Sequence, residues 1–277
     1  MEKILLAVFI ILFIWNIIII IVQNKKYRKD LPEKIKVFNL GSSHGYHAYN
    51  YTNNKNGVNL AGRSQTFYYD KIMLDYAYDK IEKGAVCFLL FSYFSFAGKE
   101  RWQRDDLIKY YRILKLNDFK GKEKVECFIY KYLPLIWSIR KKIRRKFFKI
   151  KEISDEQRIK GHVKKLENQV NKEYNLKILK DILRKCKSKD MKVIFVTTPF
   201  TKYYNSFFSE ELLNEKFYKI IQKLCQEYNI RYFDFSHEYR IFNEKEHLKD
   251  YDHLSKEGSK VFMKELKERL KIENIEI

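Results

Sequence analysis

Residues 34–45, KIKVFNLGSSHG, carry the first strand-to-turn signal of the chain. Ile35, Val37 and Phe38 form a short β-prone run that Leu40 brings to a Gly-Ser-Ser turn. A strand ending in glycine and small hydroxyl residues sets side chains at the carboxyl edge of a sheet, where open α/β folds keep their chemistry. Gly41 permits a sharp turn that a Cβ would resist, so Ser42 and Ser43 can be lifted clear of the sheet.

Beyond this turn the chain alternates strand and helix. Residues 57–62, GVNLAG, read as a short second strand with a small-residue turn, and residues 66–83 space their apolar side chains helically up to Gly84. Residues 85–96, AVCFLLFSYFSF, are a continuous apolar run of the kind that suits a strand buried on both faces. A helix over 175–189 precedes the clearest strand, residues 191–198 (MKVIFVTT), which Pro199 ends. A helix over 210–228, a strand over 230–235 and a last helix capped by Ser255, with Gly258 in its first turn, complete the series. Strands separated by helices imply βαβ units and a parallel sheet. The expected fold is a three-layer, flavodoxin-like α/β domain over residues 34–277.

The 277 residues are 45% hydrophobic and 16% aromatic, ample for one core, and three prolines with nine glycines leave no room for a long disordered linker. A net charge of +21, spread along the chain, points to a polyanionic neighbour. Cys87, Cys127, Cys186 and Cys225 form no metal motif and no disulfide framework; Cys87 and Cys225 read as core residues. Residues 4–22 are apolar except for Asn16, the length of a bilayer-spanning helix. The run ends in Gln23, Asn24 and Lys25 rather than small residues, so an uncleaved transmembrane anchor over residues 1–24 is expected, then a basic linker over 25–33. Lys25, Lys26, Arg28 and Lys29 outnumber the positive charges before the run, which by the positive-inside rule would hold the domain in the cytoplasm.

Residues 99–172 break the alternation and are read as a basic helical insertion. Within them, residues 135–150 space Ile136, Ile139, Ile143, Phe147 and Ile150 by threes and fours. Arg140, Lys141, Lys142, Arg144, Arg145 and Lys146 fill positions between. An amphipathic basic helix carrying Trp137 suits an anionic membrane lipid surface, and it equally suits an apolar stripe packed on the domain. Gln103 to Asp105 offers polar side chains to a pocket.

Residues 249–258 read KDYDHLSKEG, with Asp250 three residues before His253. In a turn entering a helix, that spacing lets the carboxylate accept the proton of one imidazole nitrogen and frees the other to take a proton from a serine. Asp252 is the alternative orienting acid. A parallel sheet brings the end of its first strand and the loop after its last strand to one carboxyl edge, so serine, base and acid can meet. His44 and His47 with His253 make only a weak metal pattern, and no metal or cofactor is expected.

The succession of strand-GSS, NLAGRSQ, a buried strand, TTP after a strand, and DYDHLS before a terminal helix resembles the SGNH (GDSL-like) hydrolases, over residues 34–270 with the insertion left out. The resemblance implies Ser43 as nucleophile, His253 as base and Asp250 as its partner. Among such proteins the chain is similar to the D-alanyl-lipoteichoic acid biosynthesis proteins and to SGNH domains that O-acetylate cell-surface polysaccharides. That implies a serine-dependent esterase or O-acyltransferase outside the cytoplasmic membrane. It would act on an acylated or anionic cell-surface polymer, alongside a membrane-bound acyl donor system. The family's usual oxyanion donors are displaced here: Gly62 or Ser64 stands for the second-block glycine, and Ser92 or Ser95 for the third-block asparagine. A non-catalytic scaffold in a polymer modification or export complex is the rival reading. No nucleic-acid motif is present, which sets aside a nucleic-acid role for the charge.

Overall fold

The computed structural model describes residues 2–27, 31–98, 108–147 and 154–273, with the backbone alone at residues 2, 5, 23–27 and 144–147. The elements run α1 (Glu2–Tyr27), β1 (Ile35–Leu40), α2 (Ser43–Ala48), β2 (Gly57–Asn59), α3 (Phe67–Ala77), β3 (Ile81–Phe91), α4 (Ile108–Ile113), α5 (Gly121–Tyr132) and α6 (Pro134–Phe147). Then follow α7 (Asp155–Asn168), α8 (Lys172–Lys187), β4 (Lys192–Thr197), α9 (Lys202–Asn205), α10 (Glu210–Leu213), α11 (Lys219–Tyr228), β5 (Arg231–Asp234), α12 (Glu244–His247) and α13 (Lys256–Ile272). A π-turn, Asn214–Tyr218, joins α10 to α11 as one continuous helix.

The five strands form one parallel sheet in the order β2-β1-β3-β4-β5. This is the flavodoxin-like order, whose topological switch falls between β1 and β3. Alternation along the strands sorts the core into two layers. Val37, Val86, Phe88, Leu90, Ile194 and Val196 pack with Phe262, Leu266 and Leu270 of α13. On the opposite face Phe91 meets Phe67 of α3 at 5.8 Å and Phe195 at 4.8 Å, under α3 and α8. β3 is buried on both faces because it is the middle strand. It begins earlier than the sequence suggests: Gly84 does not stop a helix but sits inside the strand at φ 76°, where the register against β1 shifts. The four cysteines are free; Cys225 is only half-buried.

The described residues fall into two compact units. The sheet with α2, α3 and α7–α13 makes one, so α7 belongs with the sheet although it lies within residues 99–172. The other unites α1 with α4–α6. In it Trp137 is buried, edge-on to Tyr111 and Tyr130 at 6.0 and 5.5 Å, and does not face the surface as the amphipathic reading expects. The apolar stripe Ile136, Ile139 and Ile143 is exposed, not packed. Arg140 is ion-paired with Glu126 at 3.1 Å, Lys141 is half-buried and Lys142 exposed. The side chains of Arg144, Arg145, Lys146 and Phe147, together with Ile150, Gln103–Asp105, and Arg28 and Lys29, lie outside the described residues.

The transmembrane expectation needs correction. Among the described residues, no helix is long and apolar enough to cross a membrane. α1 is one apolar helix, Glu2–Tyr27, with Ile4, Phe9, Phe13 and Trp15 all exposed.

Candidate active site

Gly41 makes the turn after β1 at φ 127°, where a Cβ would stand 3.0 Å from the Cβ of Leu90 and 3.1 Å from its carbonyl oxygen. Its N–H donates to Oδ1 of buried Asp70 at 2.8 Å, and its carbonyl accepts the N–H of Gly62 at 3.1 Å. Ser42 is the N-cap of α2 and Ser43 its first residue. The far end of α2 is held from β2: the Asn59 amide donates to the carbonyls of Tyr49 and Gly45 at 2.9 and 3.2 Å. The serine turn is thus fixed by two neighbouring segments, those of Asp70 and Asn59.

Across the carboxyl edge, residues 248–254 form a tight loop closed by the antiparallel bridge between Leu248 and Leu254. The N–H of Lys249 donates to the carbonyl of His253 at 2.9 Å, and that of Ser255 to His247 at 2.9 Å. Ser255 caps α13 by accepting the N–H of Gly258, and Gly258 is required there because a Cβ would fall 1.9 Å from the His247 oxygen. The turn after β4 steadies the tip, since Thr201 donates through both N–H and Oγ1 to the Tyr251 carbonyl at 3.0 and 3.1 Å.

This loop carries Asp250 and His253 to the serine turn. Nε2 of His253 stands 2.7 Å from Oγ of Ser43, and Nδ1 stands 2.8 and 3.0 Å from the two oxygens of Asp250. Asp252 is also close: its Oδ1 lies 3.3 Å from the same Nδ1. Asp252 is buried, with Oδ2 3.2 Å from Nε2 of His44 and Oδ1 3.0 Å from Nη1 of Arg158 on α7. His44 stacks on His253 with ring centroids 4.9 Å apart and 13° between planes. His162, also on α7, stacks on Phe94 at 4.1 Å and meets the Tyr204 hydroxyl at 3.1 Å.

The protonation states follow from these contacts. Burial would lower the His253 pKa, but the hydrogen bonds and charges of Asp250 and Asp252 outweigh it and raise the value to about 9. Burial also works against the Asp252 carboxylate, yet His253 and His44 hold it well below the usual carboxylate range. Asp250 is lowered likewise, its bond to His253 overcoming burial. Burial lowers His44, lowers His162 to about 3, and with Lys249 lowers His47 to about 4. A neutral His44 donates through Nε2 to Asp252 and accepts at Nδ1 from the Ser42 hydroxyl, 3.2 Å away. The ligand atoms of His44, Asp252 and His253 lie within 4.8 Å of one another. The Arg158 guanidinium already supplies the positive charge at that carboxylate. His47 meets Lys249 at 3.2 Å.

Ser43, Asp250 and His253 are therefore brought together, whereas the four oxyanion candidates are not. The N–H of Gly62 is engaged by the Gly41 carbonyl. Ser64 is exposed at φ 51°. Ser92 and Ser95 bond each other: the Ser92 N–H donates to the Ser95 hydroxyl at 2.8 Å, and the two hydroxyls lie 3.1 Å apart. Three residues of separation in a turn bring the two hydroxyls within hydrogen-bond reach of each other. Sequence reading did not find Arg158, His162 or Asp70; the first two sit on a helix whose charge pattern resembles the basic stretch before it.

The family model described as DltD protein matches residues 140–268, and over that stretch the chain is similar to the DltD proteins. The matched stretch includes Arg158, Asp250, Asp252 and His253; Ser43 lies outside it. Among solved structures, a Bacteroides fragilis protein crystallised as a candidate acylhydrolase matches at 11% identity and a TM-score of 0.39. That match covers 90% of this chain and 92% of that one, a likeness too loose to argue from. No curated protein matches the sequence significantly.

Proposed function

We propose that the chain is a serine-dependent acyl esterase or O-acyltransferase of the cell envelope, acting on a cell-surface polysaccharide or teichoic-acid-like polymer. The observation that carries this reading is the 2.7 Å approach of Ser43 Oγ to His253 Nε2, with Nδ1 of the same ring 2.8 Å from Asp250. Ser43 attacks the ester carbonyl while His253 takes its proton, and Asp250 stabilises the imidazolium that forms. The developing oxyanion lies against the first N–H groups of α2, which have no acceptor within the helix. His253 then protonates the leaving alcohol. Water, or a sugar or polyol hydroxyl, gives its proton to His253 as its oxygen attacks the acyl carbonyl, and His253 returns that proton to Ser43 Oγ as the bond between the acyl group and Ser43 breaks.

The DltD match over residues 140–268 supports an anionic, teichoic-acid-like polymer as acceptor, and the net charge of +21 suits such a polymer. We place the chain at the cell membrane, attached through the exposed apolar residues of α1, with the sheet unit outside the cytoplasm. One observation favours the scaffold reading instead: the Gly62 N–H is given to the Gly41 carbonyl, and one of the Ser92 and Ser95 hydroxyls donates to the other.

A fluorophosphonate probe separates the two. Covalent labelling of the full chain, abolished in Ser43→Ala and His253→Ala at unchanged circular dichroism, is the expected result. A wild-type chain that takes no label and turns over no p-nitrophenyl ester is the scaffold.

A further inference from the structure

We propose that the hairpin of α5 and α6 dips into the lipid bilayer beside α1, its corner reaching the level of Asn16, with collars of lysine at the headgroups. The inference deepens the membrane attachment read for α1 and is independent of the chemistry at Ser43.

Asn16 is the one polar interruption in the apolar run of α1. Its amide donates to the Tyr132 carbonyl at 2.8 Å, and its carbonyl oxygen lies 3.4 Å from the Leu135 N–H. Both partners belong to the corner between α5 and α6, so the corner is pinned to the middle of the apolar helix. A bilayer that takes up the apolar surface of α1 takes up the corner with it.

The hairpin surface suits that position. Between residues 125 and 139 the exposed side chains are Val125, Phe128, Tyr132, Ile136, Ser138 and Ile139, with no charge among them. The charged groups of this stretch, and Arg140 just beyond it, are engaged within the unit. Arg140 meets Glu126 at 3.1 Å, and Lys131 donates to the Leu114 carbonyl at 2.5 Å. Tyr111, Cys127, Tyr130 and Trp137 fill the inner side, so the apolar outer face is not a share of this unit's core.

Distance accounts for the charges that remain. Lys124 on α5 and Lys142 on α6 are nine and eight residues from the corner residues Leu133 and Pro134, ~14 and ~12 Å along their helices at 1.5 Å per residue. Half of a bilayer's hydrocarbon core is ~15 Å. A corner buried no deeper than this keeps both lysines at headgroup level, where anionic lipids attract them. Continuity with α1 and this charge placement argue for lipid, rather than a protein, as the occupant of the face. The hairpin enters and leaves on one side, so neither helix needs the length of a full span.

The test is photo-cross-linking of the full chain in anionic vesicles whose lipids carry a tag on the acyl chain. p-Benzoylphenylalanine replaces Phe13, Phe128, Ile136, Ile139, Lys124 or Lys142, one at a time. The expected result is acyl-chain adducts at Phe13, Phe128, Ile136 and Ile139, several-fold above those at Lys124 and Lys142. Adducts at Phe13 with none at Phe128, Ile136 and Ile139 overturn the hairpin while leaving the attachment through α1. Protein–protein adducts alone at Ile136 and Ile139 overturn it in favour of a second copy, and no adduct at Phe13 removes the attachment as well.

Discussion

Nη1 of Arg158 lies 3.0 Å from Oδ1 of Asp252, the residue immediately before His253. The same oxygen stands 3.3 Å from Nδ1 of His253, so the imidazole faces two carboxylates, one of them neutralised from behind by α7. Without the guanidinium, Asp252 would place a buried, half-compensated negative charge beside Asp250. The arrangement makes Asp252 and Arg158 positioning residues: they act on His253 and not on the substrate.

The pH profile follows from the imidazole. Its ordinary value is 6.5 and its folded value about 9. Only the neutral ring can take the Ser43 proton, so reactivity should be low at neutral pH and rise as pH rises toward about 9. The rate of fluorophosphonate labelling, measured from about pH 6 to about pH 10, should show this acid limb. A limb centred near 6.5 would mean that the two carboxylates do not act on the ring. Stability has the opposite sign. The raised pKa contributes stability that is fully present below 6.5 and is lost as pH rises through about 9.

The two carboxylates should separate by substitution. Asp250→Asn removes the closest acceptor of Nδ1 and should cost several orders of magnitude in labelling rate. Asp252→Asn leaves that acceptor in place and removes a charge, so the acid limb should move down from about 9 toward 6.5 with turnover retained. Arg158→Lys keeps the charge and should restore most of what Arg158→Ala loses. An Asp252→Asn variant with an unmoved limb would reduce Asp252 to a packing role.

The start of α13 should be intolerant for a geometric reason. A Cβ on Gly258 would stand 1.9 Å from the His247 carbonyl oxygen, inside the loop that presents His253. Gly258→Ala should therefore cost about 3 kcal/mol, and it should slow labelling of Ser43 as the loop shifts. Ser255→Ala, which removes the cap and the hydroxyl's bond to the Glu246 carbonyl, should cost about 1 kcal/mol. Urea unfolding of both variants checks the order.

Much of this was legible because it is local. Residues 35–40 and 192–197 announce strands by composition, and Asp250 and His253 share one turn, so their spacing alone brings them together. Contacts made over long stretches of chain leave no such trace. The Gly62 N–H reads as a candidate donor until the fold returns it to the Gly41 carbonyl, and Arg158 reads as one more basic residue until α7 meets Asp252. The pair Ser92 and Ser95 fell between the two cases. Their spacing of three is visible in the sequence, but only the fold shows the two hydroxyls 3.1 Å apart.

The turn that carries Ser43 gives the last prediction. Gly41 holds φ 127° against Leu90, and its N–H reaches Asp70, a carboxylate 2% exposed that also accepts from the Gln65 amide at 2.5 Å. A hydrogen bond to a charged group contributes about 1.5–3 kcal/mol, and truncating its acceptor leaves buried donors without it. Asp70→Ala should lower stability by about that amount and loosen Gly41, so that Ser43 drifts from His253 and labelling falls more than stability alone explains. Asp70→Asn keeps Oδ1 as acceptor for both the Gly41 N–H and the Gln65 amide but removes the charge that strengthens those bonds. It should therefore recover labelling more fully than stability. The comparison is made by labelling rate and urea midpoint on the same samples. If Asp70→Ala loses stability yet labels at the wild-type rate, the Gly41 turn keeps Ser43 in register without the carboxylate.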